Sequence, residues 1–187
     1  MKKLEDYVVS IPDYPEPGII FRDVTSILQD AEGLKLAIDS LQAELDGLDF
    51  DVIAGTESRG FIFGVPVAYN MHKAFVPVRK KGKLPCETVS REYALEYGTA
   101  AIEIHKDAIK PGQKVVVIDD LIATGGTIEA AVKLIEELGA QQIPCLRVYN
   151  KSDLYFGDIR PHGENSVNIS AKTGEGVDDL LENVLLL

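Results

Sequence analysis

Val115–Thr127 reads VVVIDDLIATGGT, and this stretch decides the fold. Four apolar β-branched residues make a short strand buried on both faces. Two adjacent acids follow, then a glycine-rich turn with hydroxyls, then the apolar-periodic segment TIEAAVKLIEELGA (127–140), a helix closed by Gly139. A strand, a turn and a helix in that order form the unit of an α/β sheet, and such sheets bind ligands at the carboxyl ends of their strands. Asp119 and Asp120 stand at that end. The turn Ala123, Thr124, Gly125, Gly126 and Thr127 offers backbone N–H groups and hydroxyls at a helix N-terminus, which suits a phosphate. Amides and hydroxyls for a 5-phosphate, with carboxylates for ribose hydroxyls and, through water, a magnesium ion, fit a sugar phosphate. The stretch is neither G-x-G-x-x-G nor G-x-x-x-x-G-K-[ST], which speaks against a dinucleotide fold and a Walker ATPase.

Working outward, apolar positions Leu34, Ile38, Leu41 and Leu45 predict a helix over about 32–46, and FDVIAG (50–55) a buried strand. GFIFGVPVAYNMHK (60–73) reads as a helix with Pro66 in its first turn or bending it, and KAFVPVRK (73–80) as a strand. Residues 80–98 hold no sustained period and are expected to be a long flexible loop with at most a β-ribbon at its base. AAIEIH (100–105) alternates as a strand. The expected class is α/β, a central parallel β-sheet flanked by helices. The chain has 187 residues, 45% hydrophobic and 26% charged, enough for one domain with a real core. Its 19 Lys and Arg against 30 Asp and Glu give a net charge of −11, which disfavours nucleic acid and anionic membranes as partners. Two cysteines, Cys86 and Cys145, no apolar leader in MKKLEDYVVSIPDYPEP and no apolar run near the roughly 18 residues a bilayer requires point to the cytoplasm.

VVVIDDLIATGGT also resembles the phosphoribosyl pyrophosphate (PRPP) signature of the type I phosphoribosyltransferases. PGIIFRDVT (17–25), AGTESRGFIFG (54–64) and VRKKGKLPCETVSREYALEYGTAAIEIHKDAIKPG (78–112) resemble the adenine phosphoribosyltransferases specifically, over about residues 11–140. The resemblance implies transfer of the 5-phosphoribosyl group from magnesium PRPP to N9 of adenine, giving AMP and pyrophosphate, a purine salvage reaction. It implies an N-terminal base-binding hood at Ile20, Phe21 and Arg22, with Phe21 as the stacking face. Arg59, Arg79 and Lys83 match pyrophosphate contacts. Glu96 in LEYG matches the acid at the reacting base, with Tyr97 beside it; alone, Glu96 would read as a solvated loop carboxylate. Mg²⁺ is implied near Asp119 and Asp120, and a homodimer in which the loop after Val78 lies near the partner's site.

Past Gly139 and Ala140 that resemblance gives way to another. IPCLRVYNKSD (143–153) resembles the guanine-reading strand of a GTPase G domain, with N-K-x-D at Asn150, Lys151 and Asp153. VNISAKTGEGVDDLLENVL (167–185) resembles its S-A-K loop at Ser170, Ala171 and Lys172 with the terminal helix. No Walker loop or D-x-x-G accompanies them, so GTP binding is not expected. Residues 1–140 are read as the catalytic core. Residues 141–187 are read as a segment that completes the sheet, with Ile143–Tyr149 as a strand beside Val115–Ile118 and 177–186 as a helix burying Leu180, Leu181, Val184 and Leu185. The alternatives are a non-catalytic PRPP-binding chimera and a guanine-nucleotide module built on this tail.

Overall fold

The computed structural model describes residues 2–14, 16–18, 20–94, 98–120, 125–141, 147–149 and 166–168, with Thr173 and Glu175. By internal contacts the chain divides into residues 1–141 and 142–187.

In the first unit, β1 (Val9–Pro12) and β2 (Ile20–Asp23) form an antiparallel hairpin with Ile11 opposite Phe21. A single turn, α1 (Thr25–Leu28), leads to α2 (Ala31–Leu45), close to the helix read from sequence. Asp30 starts α2 by accepting from the N–H groups of Glu32 and Gly33, two of the donors that a helix start leaves unpaired. Next come β3 (Val52–Thr56), α3 (Arg59–Asn70), β4 (Ala74–Lys80), β5 (Thr88–Ala94), β6 (Thr99–His105), β7 (Val115–Ile118) and α4 (Gly126–Glu137).

The five-stranded sheet has the order β5-β6-β4-β3-β7. β3 lies between β4 and β7 and is parallel to both, whereas β6 runs antiparallel to β4 and to β5. The sheet is therefore mixed, and the expectation of a parallel one is corrected. The cause is local: β5 and β6 are joined by a short tip, and a short connection can pair strands only antiparallel. Residues 80–98 are accordingly not one long loop. Thr88–Ala94 pairs residue for residue with Thr99–His105. Its alternation was hidden because Arg91 sits between Val89 and Tyr93 on the face that packs against the core. Pro66 falls in the middle of α3, not in its first turn, and the helix continues through it.

Because side chains alternate along a strand, β3 serves two cores. Val52 and Ala54 join Val76, Val78, Ile102 and Ile104 beneath Ala131, Leu134 and Ile135 of α4. Ile53 packs on the other face with Ile38 of α2 and Phe63 and Val67 of α3. Helices on both faces and a fully buried β3 fix the carboxyl edge of β4, β3 and β7 as the place where polar residues emerge together. Among the described residues no helix is long and apolar enough to cross a membrane.

In the second unit, β8 (Arg147–Tyr149) pairs in parallel with β9 (Ser166–Asn168) as a two-stranded sheet. The strand expected over Ile143–Tyr149 thus has β9 as its described partner. Residues 143–146 and the expected helix over 177–186 lie outside the described residues.

Candidate active site

Asp119 and Asp120 leave the end of β7 beside the start of α3. The approach depends on Gly60, where a Cβ would stand 2.7 Å from the Ile118 carbonyl oxygen and 3.0 Å from Thr56 Oγ1. With only hydrogen there, the first turn of α3 lies directly on the end of β7. Arg59 Nε then reaches Asp120 Oδ2 at 2.8 Å. Asp120 is nearly buried, and the contact is an ion pair rather than an aligned hydrogen bond. The Asp120 N–H donates to Asp119 Oδ1 at 2.9 Å. Burial first, and then the hydrogen bond and charge of Asp119, push the Asp120 carboxyl above the usual aspartate range, with Arg59 opposing them. Among the described residues Thr56 Oγ1, also buried, has no hydrogen-bond partner.

On the other side of β3 a second cluster forms around Glu57, which follows the last residue of that strand. Its Oε2 accepts from Arg79 Nε at 3.4 Å and from the Lys80 N–H at 3.0 Å, and its Oε1 accepts from Lys83 Nζ. Burial opposes the charged form, but Lys83, the Lys80 N–H and Arg79 outweigh it and hold the Glu57 carboxyl down at about 2. Behind it, Glu103 of β6 is buried, and its Oε1 accepts from the N–H groups of Lys83 and Leu84 at 2.8 Å each. Burial again works against ionisation, yet the amides of Leu84, Gly82 and Lys83 and the Thr88 hydroxyl keep this carboxyl below its ordinary value. Neither acid was singled out from sequence. A signal existed for Glu103: it stands between Ile102 and Ile104 in a strand buried on both sides, where a charge needs partners. Glu57 carried no signal, because its partners lie 22 and 26 residues away.

The helix expected to hold phosphate starts where the sequence placed it. Gly125 is left-handed, with φ of 83°, and precedes the first residues of α4, Gly126 and Thr127. Ala123 and Thr124 of the same turn, and Glu96 and Tyr97 of the β5–β6 tip, lie outside the described residues. In the hairpin, Ile20 is 62% exposed and Phe21 meets the Tyr14 ring edge-on at 5.3 Å. Arg22 donates to Ser10. The Thr25 hydroxyl and N–H lower the Asp23 carboxyl, against slight desolvation, with a smaller contribution from Arg59. The structure thus joins Arg59 to Asp120, and Arg79 to Lys83 through Glu57. The two clusters flank β3 at one edge of the sheet, with β4 and β7 about 10 Å apart at the usual strand spacing.

Among the described residues no group of three or more His, Cys, Asp or Glu could hold a metal ion alone. Two adjacent carboxylates fit a magnesium ion whose remaining ligands are water and the oxygens of a phosphorylated substrate. The arrangement can grip an anion with cations and amides, and vicinal hydroxyls with carboxylates.

Comparison with known proteins is consistent with this chemistry. The phosphoribosyl transferase domain family matches residues 24–160. The match continues past Ala140, so the limit read from sequence is too early, and Asn150, Lys151 and Asp153 fall inside it. The chain is 76% identical to the adenine phosphoribosyltransferase of Lachnoclostridium phytofermentans over 143 residues, 76% of this chain and 82% of the relative. It is 68% identical to that of Agathobacter rectalis over 146 residues, 78% and 84% of the two chains. Among solved structures, the adenine phosphoribosyltransferase of Thermoanaerobacter pseudethanolicus superposes with a TM-score of 0.71 at 44% identity, covering 90% of this chain and 99% of that one. The Saccharomyces cerevisiae enzyme, solved with adenine and an imino-altritol bisphosphate, gives 0.71 at 34% identity, covering 98% and 92%. With strand-end acids, a glycine turn and a cationic edge in place, and with identity this high over most of both lengths, the chain belongs to the phosphoribosyltransferase family, among its adenine phosphoribosyltransferases.

Proposed function

We propose that the protein moves the 5-phosphoribosyl group of PRPP to N9 of adenine, forming AMP and releasing pyrophosphate, with the following division of labour. The observation that carries it is the pair Asp119–Asp120 at the end of β7, with Arg59 on Asp120 and the α4 N-terminus next along the chain. The acids accept from the ribose hydroxyls. The amides of the turn 123–127 hold the 5-phosphate, where the helix start favours an anion. Arg59, Arg79 and Lys83 offset the charge that grows on the departing pyrophosphate. Magnesium arriving on PRPP would further neutralise that leaving group, with Asp119 and Asp120 within reach of its water ligands. Phe21 stacks on adenine, and backbone groups at Ile20 and Arg22 read its edge. Glu96 manages a purine proton from the tip of the β5–β6 ribbon, and Tyr97 closes beside it. The test is direct: supply magnesium, PRPP and each purine base, and follow nucleotide formation. Adenine alone should give rapid turnover. Asp119→Asn with Asp120→Asn should cut kcat/KM by about a hundredfold or more; unchanged kinetics would remove this assignment.

The tail is read as structural, with no guanine site, since no Walker loop or D-x-x-G motif accompanies its N-K-x-D and S-A-K sequences. A homodimer in the cytoplasm is the proposed working state. Supporting it, α3 exposes Ile62, Val65 and Tyr69, the last to 84%, and no residue from 60 to 71 is charged. On a chain of net charge −11, that face is suited to meeting a second copy.

A further inference from the structure

We propose that Glu57 is a resident counter-ion for Arg79 and Lys83, holding both cations at the sheet edge until the pyrophosphoryl group of the substrate takes its place. The proposal rests on the reading of Arg79 and Lys83 as pyrophosphate contacts. Three features of the geometry support it. Both carboxylate oxygens of Glu57 are engaged, Oε2 by Arg79 Nε and the Lys80 N–H, Oε1 by Lys83 Nζ. The glutamate is nearly buried, while about half of the Lys83 side chain and a third of the Arg79 side chain face solvent, so an incoming anion meets the cations and not the acid. The backbone of the segment is held separately: Glu103 fastens the N–H groups of Lys83 and Leu84, and Arg79 Nη1 donates to the Lys83 carbonyl oxygen at 3.4 Å.

Glu57 is therefore not the main fastening of the segment but the local anion within it. One carboxylate supplies one negative charge to two cations. A pyrophosphoryl group supplies more and can displace it, whereas a monophosphate competes on poorer terms. Glu57 thus acts as a resident competitor that biases the edge toward polyanions.

Inorganic pyrophosphate and inorganic phosphate, titrated by calorimetry into the full-length protein, test this. Glu57→Gln keeps the shape and the Lys80 contact but removes the charge. It should tighten pyrophosphate binding about threefold to tenfold and phosphate by a larger factor, narrowing the preference between them. Lost structure would weaken binding, so a gain in affinity separates the two roles. Glu57→Asp, which keeps the charge on a shorter arm, should fall between the parent and Glu57→Gln, and serves alone if Glu57→Gln does not fold. Binding unchanged or weakened in whichever of these variants folds overturns the counter-ion. Arg79→Gln and Lys83→Gln report on the underlying reading: each should weaken pyrophosphate binding. If neither does, the reading and the proposal fall together; if both do and the Glu57 variants gain nothing, only the proposal falls.

Discussion

At Gly60 a single hydrogen atom separates function from a clash. A methyl group there would stand 2.7 Å from a backbone carbonyl of β7, which has no free rotation by which to yield. Gly60→Ala should push the start of α3 away from Ile118, draw Arg59 off Asp120 and cost about 1–3 kcal/mol of stability, as overpacked sites do. A drop in the urea midpoint together with a rise in the PRPP KM would show both effects; an unaltered KM would mean that the ion pair is incidental to binding. Glu57 gives a second prediction, in pH. Its folded pKa of about 2 lies below its ordinary 4.5, so its contribution is fully present above about 4.5 and is lost as pH falls toward 2. Urea midpoints between pH 5 and 2 should therefore fall more steeply for the parent than for Glu57→Gln. Parallel curves would count against the ion cluster.

Among elements, the β5–β6 ribbon matters most to the proposed chemistry, because it carries Glu96 at its tip. Its base is not a tether but a packed arm: Val89 and Tyr93 join the α4 core, and Arg91 pairs with Glu137 of α4. These anchors differ in weight. The Arg91–Glu137 pair is part-exposed, so breaking it with Arg91→Gln should cost at most about 1 kcal/mol and leave turnover near the parent value. Tyr93→Ala removes buried ring area and should cost about 2–4 kcal/mol, with a loss of kcat as the arm loses its seat on α4. Glu96→Gln should lower kcat while leaving the PRPP KM within about twofold, since its role begins only in the reacting complex. Steady-state kinetics on the three variants, ranked against thermal melts, checks the order. A turnover loss for Arg91→Gln larger than for Glu96→Gln would reverse it.

For the whole molecule the open quantities are assembly and the purpose of the last residues. The charge-free face of α3 leads us to expect a dimer by light scattering at micromolar concentration, converted to monomer by Val65→Glu with Tyr69→Glu. A monomeric parent with full activity would refute the dimer. The tail should be required for folding but not for guanine recognition. Truncation after Ala140 is expected to give insoluble protein, and Asp153→Ala to leave AMP formation within about twofold. Micromolar GDP binding that vanishes in Asp153→Ala would instead promote the tail to a nucleotide site.

The α/β class, the buried β3, the strand β7, α2 and α4 and the acidic strand end were readable in sequence because each is local; the full burial expected of β7 was not met, since Val115, Val116 and Val117 are only half-buried. A run of β-branched residues, a 3.6-residue period and a glycine turn report on their own conformation within a dozen residues. The mixed sheet was not read because Arg91, between Val89 and Tyr93, hid the alternation of β5, and the ladder of β6 with β4 is chosen only in the folded chain. Nor were the roles of Glu57 and Glu103. An acid acquires its partners from strands and loops 15 to 26 residues away, and its ionisation from what surrounds it after burial. Sequence alone was enough for the short strand, the two acids that follow it and the helix start beyond them. Tertiary structure decided which cations are held by which acids, because electrostatic pairing is set by distance in space and not by distance along the chain.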